Sequence, residues 1–212
     1  MHVAELWRYP VKSLRGERLE ETELLVDGIP GDRLVHVRAR NRRIVTSRTR
    51  PALLGLAGTL GADGEPRIDG LPWEAPASYA KIEAVAGLGV ELVRSAGPER
   101  FDVLPLSIVS DGAVAALGVD RRRLRPNIVI GGVEGLAERE WPGRLARIGG
   151  ATVALVRLRP RCVMTTFDPD TLAQDHGVLR RIVEDFEGTT ALDAYVVEPG
   201  PVRVGDPVEL LP

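Results

Sequence analysis

The stretch LEETELLVDGIPGDRLVHVRA, residues 19–39, places two strand-like runs on either side of a turn. Residues 19–26 and 34–39 are rich in apolar and β-branched side chains, which are typical of β-strands. Between them, residues 27–32 hold Asp-Gly and Pro-Gly pairs, both of which favour turns. This stretch therefore predicts short β-strands joined by tight turns.

The same alternation of short apolar runs with Gly and Pro continues along the chain. Residues 67–78 are rich in Pro and Gly and are expected to form a surface loop. The predicted strands are residues 3–9, 19–26, 34–39, 43–47, 53–60, 81–86, 90–95, 127–130, 144–148, 152–158, 162–167, 190–197 and 207–211.

Two short helices are predicted among these strands. Ser110 can cap one helix that Gly118 ends, and Asp175 can cap a second helix over residues 176–186. Many short strands with few helices predict a mainly β (α+β) protein with a closed or nearly closed β-barrel. A parallel doubly wound sheet is not expected, because the chain has neither a G-x-G-x-x-G nor a P-loop sequence.

Size, charge and cysteine content narrow the class of protein. The 212 residues suffice for one domain or for two small, closely packed ones. A net charge of -2 gives no reason to expect nucleic acid or an anionic membrane as partner. Without a signal-peptide pattern or a long apolar run, we expect no membrane span and a cytoplasmic location. The one cysteine, Cys162, excludes an intrachain disulfide, a multi-cysteine zinc site and an iron–sulfur cluster.

Cys162 is the first candidate for chemistry. It follows Arg161 at the start of an apolar run, and nearby guanidinium groups favour the thiolate, which is the metal-binding and nucleophilic form. A soft thiolate suits molybdenum better than it suits a hard, oxygen-preferring cation. Cysteine is also often a small buried apolar residue, and the residues alone leave both interpretations open.

Basic residues at strand ends form two further candidates. Arg125 and Asn127 flank a proline before an apolar run, so both side chains are expected to point the same way across the pleat. Lys12, Arg33 and Arg48 each lie where a predicted strand begins or ends, and together they predict an anion-binding rim. Solvated surface cations are the alternative for this second group.

Four motifs, in this order, resemble those of the MOSC family. They are Tyr9-Pro10-Val11-Lys12-Ser13, Gly31-Asp32-Arg33, Arg125-Pro126-Asn127-Ile128-Val129, and Arg161-Cys162 with Thr165-Thr166 and Asp168-Pro169. The resemblance covers the whole chain: residues 1–95 resemble the N-terminal MOSC β-barrel domain, and residues 96–212 resemble the MOSC domain itself. One departure lies after the last motif, where Leu172 follows Thr171 in place of the family's usual glycine, which predicts an altered turn.

The resemblance implies a molybdenum–molybdopterin cofactor with Cys162 as the protein ligand to the metal. It also implies that the pterin phosphate and ring are held by Lys12, Arg33, Arg125 and Asn127. Ser107 lies where the family has a further cofactor contact, with Ser110 as the alternative. The remaining expected contacts with the cofactor or its loop are Arg48, Arg161, Thr165 and Thr166. Asp168 is expected either to handle protons as a catalytic residue or to bond the loop backbone.

The activity that the resemblance implies is that of a molybdenum oxidoreductase. Such an enzyme reduces N-hydroxylated compounds by removing an oxygen atom. We expect no flavin or iron–sulfur module in the chain, so electrons would come from a separate reductase or redox carrier. One alternative is a non-catalytic carrier of the molybdenum cofactor or of persulfide sulfur on Cys162. Another is a β-barrel binding module that has lost its cofactor.

Overall fold

The computed structural model describes residues 1–95 and 97–212 of the chain. Within these residues the strands are β1 (His2–Arg8), β2 (Glu17–Leu19), β3 (Glu21–Leu24), β4 (Val35–Arg38), β5 (Ile44–Val45), β6 (Gly58–Leu60), β7 (Pro66–Ile68), β8 (Leu71–Pro72), β9 (Glu91–Arg94), β10 (Leu106–Ser110), β11 (Ile128–Gly131), β12 (Leu145–Ile148), β13 (Ala151–Pro160), β14 (Thr189–Glu198), β15 (Gly200–Arg203) and β16 (Val208–Leu210).

The helical elements are shorter and fewer than the strands. The α-helices of the described chain are α1 (Pro76–Ala86), α2 (Asp111–Leu117) and α3 (His176–Asp185). The 3-10 turns are Pro51–Gly55, Pro98–Arg100, Arg121–Leu124, Ala137–Glu140 and Val163–Thr166. The prediction of a mainly β protein with a few short helices is confirmed.

Among the described residues, eight strands form the largest sheet, in the order β16-β12-β13-β14-β10-β11-β1-β2. The ladders are antiparallel except for β10 and β11, which run parallel. Leu6 lies opposite Ile128, so a strand from the start of the chain joins strands from its second half. Leu6, Ile108 and Ile128 are fully buried in one apolar cluster, where each side chain contributes about 1.5–3 kcal/mol.

The largest sheet approaches closure without completing it. Its ladder order has two ends, β16 and β2. A single antiparallel bridge between His2 and Pro207 brings β1 beside the segment that leads into β16. The ladders of the described residues therefore do not form a fully closed barrel.

A second apolar cluster supports the smaller sheets of the first half. It is built from β4, α1 and their neighbours, with Val11, Val35, Leu53 and Ile82 fully buried. The sheets of this half follow the orders β5-β4-β9 and β6-β7-β8, and β3 pairs with β15 from the far end of the chain. These pairings position the turns after β1 and β5 beside the turn that carries Cys162.

The two predicted helix starts are confirmed. The Ser110 side chain accepts a hydrogen bond from the Ala113 N–H, and Gly118 ends α2 in the left-handed conformation. Asp175 accepts one from the Gly177 N–H at the start of α3. Short polar side chains at these positions satisfy backbone donors that the first helical turn leaves unpaired.

Several predicted elements are wrong. Residues 81–86 were expected as a strand but form the end of α1, because Ser78, Ile82 and Ala86 are buried at a spacing of four residues. Pro76 begins this helix and removes a backbone donor that would be unpaired there. Residues 67–78, expected as a loop, hold β8, parts of β7 and the start of α1. Residues 53–60, expected as one strand, divide into the end of a 3-10 turn and β6.

The predicted domain boundary between residues 95 and 96 stays a prediction. Ala96, which belongs to the predicted junction, lies outside the described residues. Across residues 1–95 and 97–212, no helix combines the length and the apolar character that a membrane crossing requires.

Candidate functional site

Cys162 lies two residues after β13 and directly before a 3-10 turn over Val163–Thr166. The Thr165 hydroxyl donates to the Cys162 carbonyl at 2.9 Å, and the Thr166 hydroxyl donates to the Val163 carbonyl at 2.7 Å. These bonds close the turn, which is why the strand predicted over residues 162–167 does not form. The two threonines thus fix the backbone that presents a half-buried cysteine.

Cys162 lines a pocket of about 110 Å³ whose other polar side chains are mostly cationic. In the described part of the chain, one carboxylate, Asp102, also lines this pocket. Such an excess of positive charge attracts anions. The cationic lining residues are Lys12, Arg33, Arg48, Arg123, Arg125, Arg159 and Arg161. Of the predicted anion-binding rim, Lys12, Arg33 and Arg48 are therefore brought together on one pocket.

Asp102 joins two of these cations. Its carboxylate oxygens lie 2.7 Å from the Lys12 Nζ and 3.0 Å from the Arg48 Nη2. The Lys12 ammonium also donates to the Arg100 carbonyl at 2.9 Å. Burial alone would raise the pKa of Asp102, but the hydrogen bond from Lys12 and the charges of Lys12 and Arg48 outweigh it and lower the pKa. Asp102 is therefore ionised at neutral pH and holds both cations in place.

Three more cations contact carboxylates behind the pocket wall. Arg123 lies 3.0 Å from a carboxylate oxygen of Asp168, and Arg159 lies 2.9 Å from one of Asp193. Arg33 pairs with its neighbour Asp32, which is fully buried. These pairs offset part of the positive charge of the site.

Arg125 and Arg161 differ from the other lining cations, because neither pairs with a carboxylate among the described residues. Arg161 donates from Nη2 to the Leu124 carbonyl at 2.7 Å, whereas its buried Nε and Nη1 have no hydrogen-bond partner there. Burial lowers the pKa of Arg125 and that of Arg161 to about 10, so both remain charged at neutral pH. Buried guanidinium donors without partners fit a phosphate group, which could accept from them in a fork geometry.

Asn127 does not line the pocket, and the expectation that it points the same way as Arg125 is wrong. It is fully buried; its Oδ1 accepts from the Ser107 N–H at 3.1 Å, and its Nδ2 donates to Asp32 at 3.1 Å. The alternation of a pleated strand does not apply here, because Arg125 has a left-handed backbone with φ of 52°. Asn127 therefore ties the strands together beneath the site.

Ser107, Thr165, Thr166 and Asp168 also lie outside the pocket lining. Ser107 is buried, and its hydroxyl has no hydrogen-bond partner among the described residues. The Asp168 carboxylate accepts from the Thr171 N–H at 2.9 Å and pairs with Arg123, which favours the loop-bonding role over proton handling at the thiol.

Sequence reasoning missed three lining residues. Asp102 belongs to no motif and reaches Lys12 and Arg48 only through the fold. The sequence does contain a feature that indicates each of Arg159 and Arg123. Arg159 is two residues before Arg161 along an extended strand and so shares its face, and Arg123 is one member of the run of arginines before Arg125.

The turn after the cysteine motif has a left-handed backbone at Leu172, with φ of 60°. Its N–H donates to the Asp168 carbonyl at 3.0 Å. A leucine in this conformation costs about 1–2 kcal/mol that a glycine would avoid. The altered turn relative to the family stays a prediction; in this chain a leucine occupies a conformation that favours glycine.

A second, more apolar cleft adjoins the cysteine pocket. It has a volume of about 290 Å³ and includes the aromatic rings of Trp7, Tyr9 and Phe167. Arg125 and Met164 line both cavities, so the two are continuous along one wall. An aromatic cleft next to a cationic pocket can accept a ligand that has both a ring and an anionic group.

The fold and the site define a mainly β protein that holds one half-buried cysteine in a cationic pocket. A model of the MOSC domain matches residues 106–209, and a model of the MOSC N-terminal beta barrel domain matches residues 1–81. The chain belongs to the MOSC domain family.

Relatives of the chain have informative names. Human mitochondrial amidoxime-reducing component 1 is 27% identical, over 99% of this chain and 82% of that protein. Mitochondrial amidoxime reducing component 2 of Macaca fascicularis is 26% identical, over 97% and 82%. Among solved structures, the YUAD protein of Bacillus subtilis gives a TM-score of 0.49 at 15% identity, covering 98% of this chain and 93% of that one.

Proposed function

We propose that this protein binds a molybdenum–molybdopterin cofactor and reduces N-hydroxylated compounds by removal of an oxygen atom. The observation that carries the proposal is the position of Cys162 beside Arg125 and Arg161, whose buried charges have no carboxylate partner in the described chain. Membership of the MOSC family supports the cofactor. The names of the amidoxime-reducing relatives support the class of substrate.

The residues of the pocket suit this cofactor chemically. The Cys162 thiolate is a ligand for the metal, and Arg125 and Arg161 are donors for the phosphate. Lys12 and Arg48, both held by Asp102, add positive charge to the lining of the same pocket. When bound, the cofactor supplies the two-electron chemistry, while the chain supplies binding, orientation and electrostatics.

The wall of the pocket around Cys162 is cationic. Burial lowers the pKa of Arg159 and of Arg161, and both guanidinium groups line the pocket with the cysteine. Positive charge on this wall would offset the negative charge of an anionic cofactor bound beside Cys162. We include a cytoplasmic location in the proposal, because a free cysteine persists in a reducing compartment.

Each turnover consumes two electrons and two protons and releases the hydroxyl oxygen of the substrate as water. The 212 residues hold a single cysteine, which is too few for an iron–sulfur cluster. The proposal therefore includes a separate reductase or redox carrier as electron donor.

Turnover with a chemical reductant tests this proposal without knowledge of the natural donor. Protein made in a host that synthesises the cofactor is expected to reduce an aromatic amidoxime to the amidine with reduced methyl viologen. The Cys162→Ser variant should lose this activity, and an exposed substitution such as Arg180→Gln should retain it. If the wild type holds cyanide-labile sulfur on Cys162 and no molybdenum, the alternative of a sulfur carrier replaces the proposal.

A further inference from the structure

One surface beside the pocket carries positive charge without any compensating acidic residue in its segment. The sequence contains no Asp or Glu between Asp32 and Asp63. Within that interval, residues 38–50 contain six arginines. The protein as a whole has a net charge of -2, so this segment departs sharply from the average of the chain.

Four of these arginines lie on the hairpin that joins β4 to β5. Arg40, Arg42 and Arg43 are exposed, and none of them makes an ion pair within residues 1–95 and 97–212. Arg38, at the base of the hairpin, pairs with Glu91 at 2.7 Å and is thereby neutralised. The tip is held by backbone bonds, since the Ala39 N–H donates to the Arg43 carbonyl at 2.9 Å. The three free charges therefore sit on a defined scaffold.

The hairpin forms one wall of an open groove of about 720 Å³. The turn between α1 and β9 forms the other wall, where Leu88 is 87% exposed. Ile44 adds a second exposed apolar side chain on the hairpin side. Arginines around a small apolar centre are typical of protein–protein interfaces. We call Arg40, Arg42, Arg43, Ile44 and Leu88 the basic hairpin surface.

A single turn connects this surface to the pocket of Cys162. The N–H groups of Thr49 and Arg50 both donate to the Thr46 carbonyl at 3.0 Å. Thr46 and Arg48 line the cysteine pocket, whereas Thr49 and Arg50 line the groove. A molecule in the groove is therefore separated from the pocket by the thickness of one turn.

We propose that the basic hairpin surface docks the electron donor, and that this donor is a protein with an acidic surface around its redox centre. This inference rests on the proposed function. Electron transfer slows steeply with distance, so the donor must dock close to the pocket. Two electrons leave the donor, which is oxidised; with two protons from water they convert the N–OH group of the substrate to N–H and release water.

The charge of the surface also sets the expected kinetics. Complementary charges raise the rate of encounter about 10–1000-fold at low salt, and the effect declines as salt screens the charges. Because Arg40, Arg42 and Arg43 lie outside the pocket, reversing their charge should change docking and leave the site unaltered. A membrane is a less suitable partner for this surface than a protein. The basic hairpin surface has two exposed apolar side chains, Ile44 and Leu88, and both lie beside a groove.

The test compares the triple variant Arg40→Glu/Arg42→Glu/Arg43→Glu with a matched control. The control, Arg18→Glu/Arg147→Glu/Arg180→Glu, makes the same change of net charge at three exposed arginines on β2, β12 and α3. Amidoxime reduction is measured with reduced methyl viologen. It is measured again with NADH, NADPH and the proteins of a source-cell extract that bind an anion exchanger.

With methyl viologen, both variants should match the wild type. With the anionic protein fraction, the hairpin variant should turn over at least about tenfold more slowly than the wild type, and the control should not. Raising the ionic strength to about 0.2 M should slow the wild type and not the hairpin variant. As a readout independent of the cofactor, affinity for poly-L-glutamate should fall about tenfold in the hairpin variant alone.

Equal rates of the wild type and the hairpin variant with the anionic fraction would overturn the inference. So would donor activity that is found only among basic proteins or that sediments with membranes. Failure of the proposed function has a different signature, because the wild type would then not turn over with methyl viologen either.

Discussion

The guanidinium of Arg125 lies over the ring of Tyr9, with 4.3 Å between its Cζ and the ring centroid. Arg33 approaches the same ring at 5.2 Å. The Tyr9 hydroxyl donates to the Pro126 carbonyl at 3.1 Å, which fixes the ring. Two cations are thus held at one aromatic ring, although their charges repel.

Replacing Tyr9 should weaken anion binding through the position of Arg125. A cation–π contact of this kind contributes about 0.5–2 kcal/mol, so Tyr9→Leu should lower the affinity for inorganic phosphate several-fold. Tyr9→Phe keeps the ring and should keep most of that affinity, while it loses about 1 kcal/mol of stability with the hydrogen bond to Pro126. Titration calorimetry and urea unfolding measure the two effects. Equal phosphate affinity in the leucine variant and the wild type would contradict this role.

Removing the charge of Arg125 should lower the affinity for phosphate while it leaves the stability of the fold nearly unchanged. Burial lowers the pKa of this residue, so its charge is unfavourable to the folded protein in isolation. Arg125→Met should therefore leave the free energy of unfolding within about 1 kcal/mol of the wild type. Phosphate affinity should fall about tenfold or more, since hydrogen bonds to charged groups contribute about 1.5–3 kcal/mol. A large loss of stability with unchanged phosphate affinity would assign Arg125 to the core.

Asn127 should act mainly on stability. Asn127→Ala leaves the buried Ser107 N–H without a partner and removes one of the donors to the Asp32 carboxylate, at a cost of about 1–3 kcal/mol in the free energy of unfolding. Asn127→Asp adds a second carboxylate beside Asp32, so it should destabilise more at neutral pH than near pH 4. Urea unfolding at the two pH values measures this. Full stability of the alanine variant, together with weaker phosphate binding, would restore the direct contact that the sequence predicted.

Asp102 should make the stability of the fold depend on pH, with a contribution that is lost on acidification. Its pKa is lower in the folded protein than in the unfolded chain, so ionised Asp102 stabilises the fold above about pH 4. That contribution is lost as the pH falls from about 4 through the lower folded value. In Asp102→Asn, the deficit in the urea midpoint relative to the wild type should therefore be present at pH 7 and shrink by pH 3. A deficit that grows on acidification would contradict the ion pairs with Lys12 and Arg48.

Local signals in the sequence predicted much of the fold. The ends of α2 and α3 followed from Ser110, Gly118 and Asp175, because caps act through bonds to residues nearby in the chain. The helix α1 was missed, since an apolar residue at every second position in residues 82–86 also satisfies the spacing of four along a helix.

The site was less predictable because its geometry depends on contacts between distant segments. Cys162, Lys12, Arg33 and Arg48 were grouped through motifs, and the fold brings them to one pocket. Asp102 carried no motif, and it contacts cations 90 and 54 positions away in the sequence. The positive φ of Arg125, which turns its side chain away from that of Asn127, also has no marker such as glycine.

Molybdenum content per chain is the most direct measurement of the central claim. Protein purified from a host that makes the cofactor should contain close to one molybdenum atom per chain. Cys162→Ser should contain almost none, and its midpoint of urea unfolding should equal that of wild type made without the cofactor. Wild-type protein without molybdenum from a host whose other molybdenum enzymes are loaded would contradict the claim. So would full molybdenum content in the serine variant.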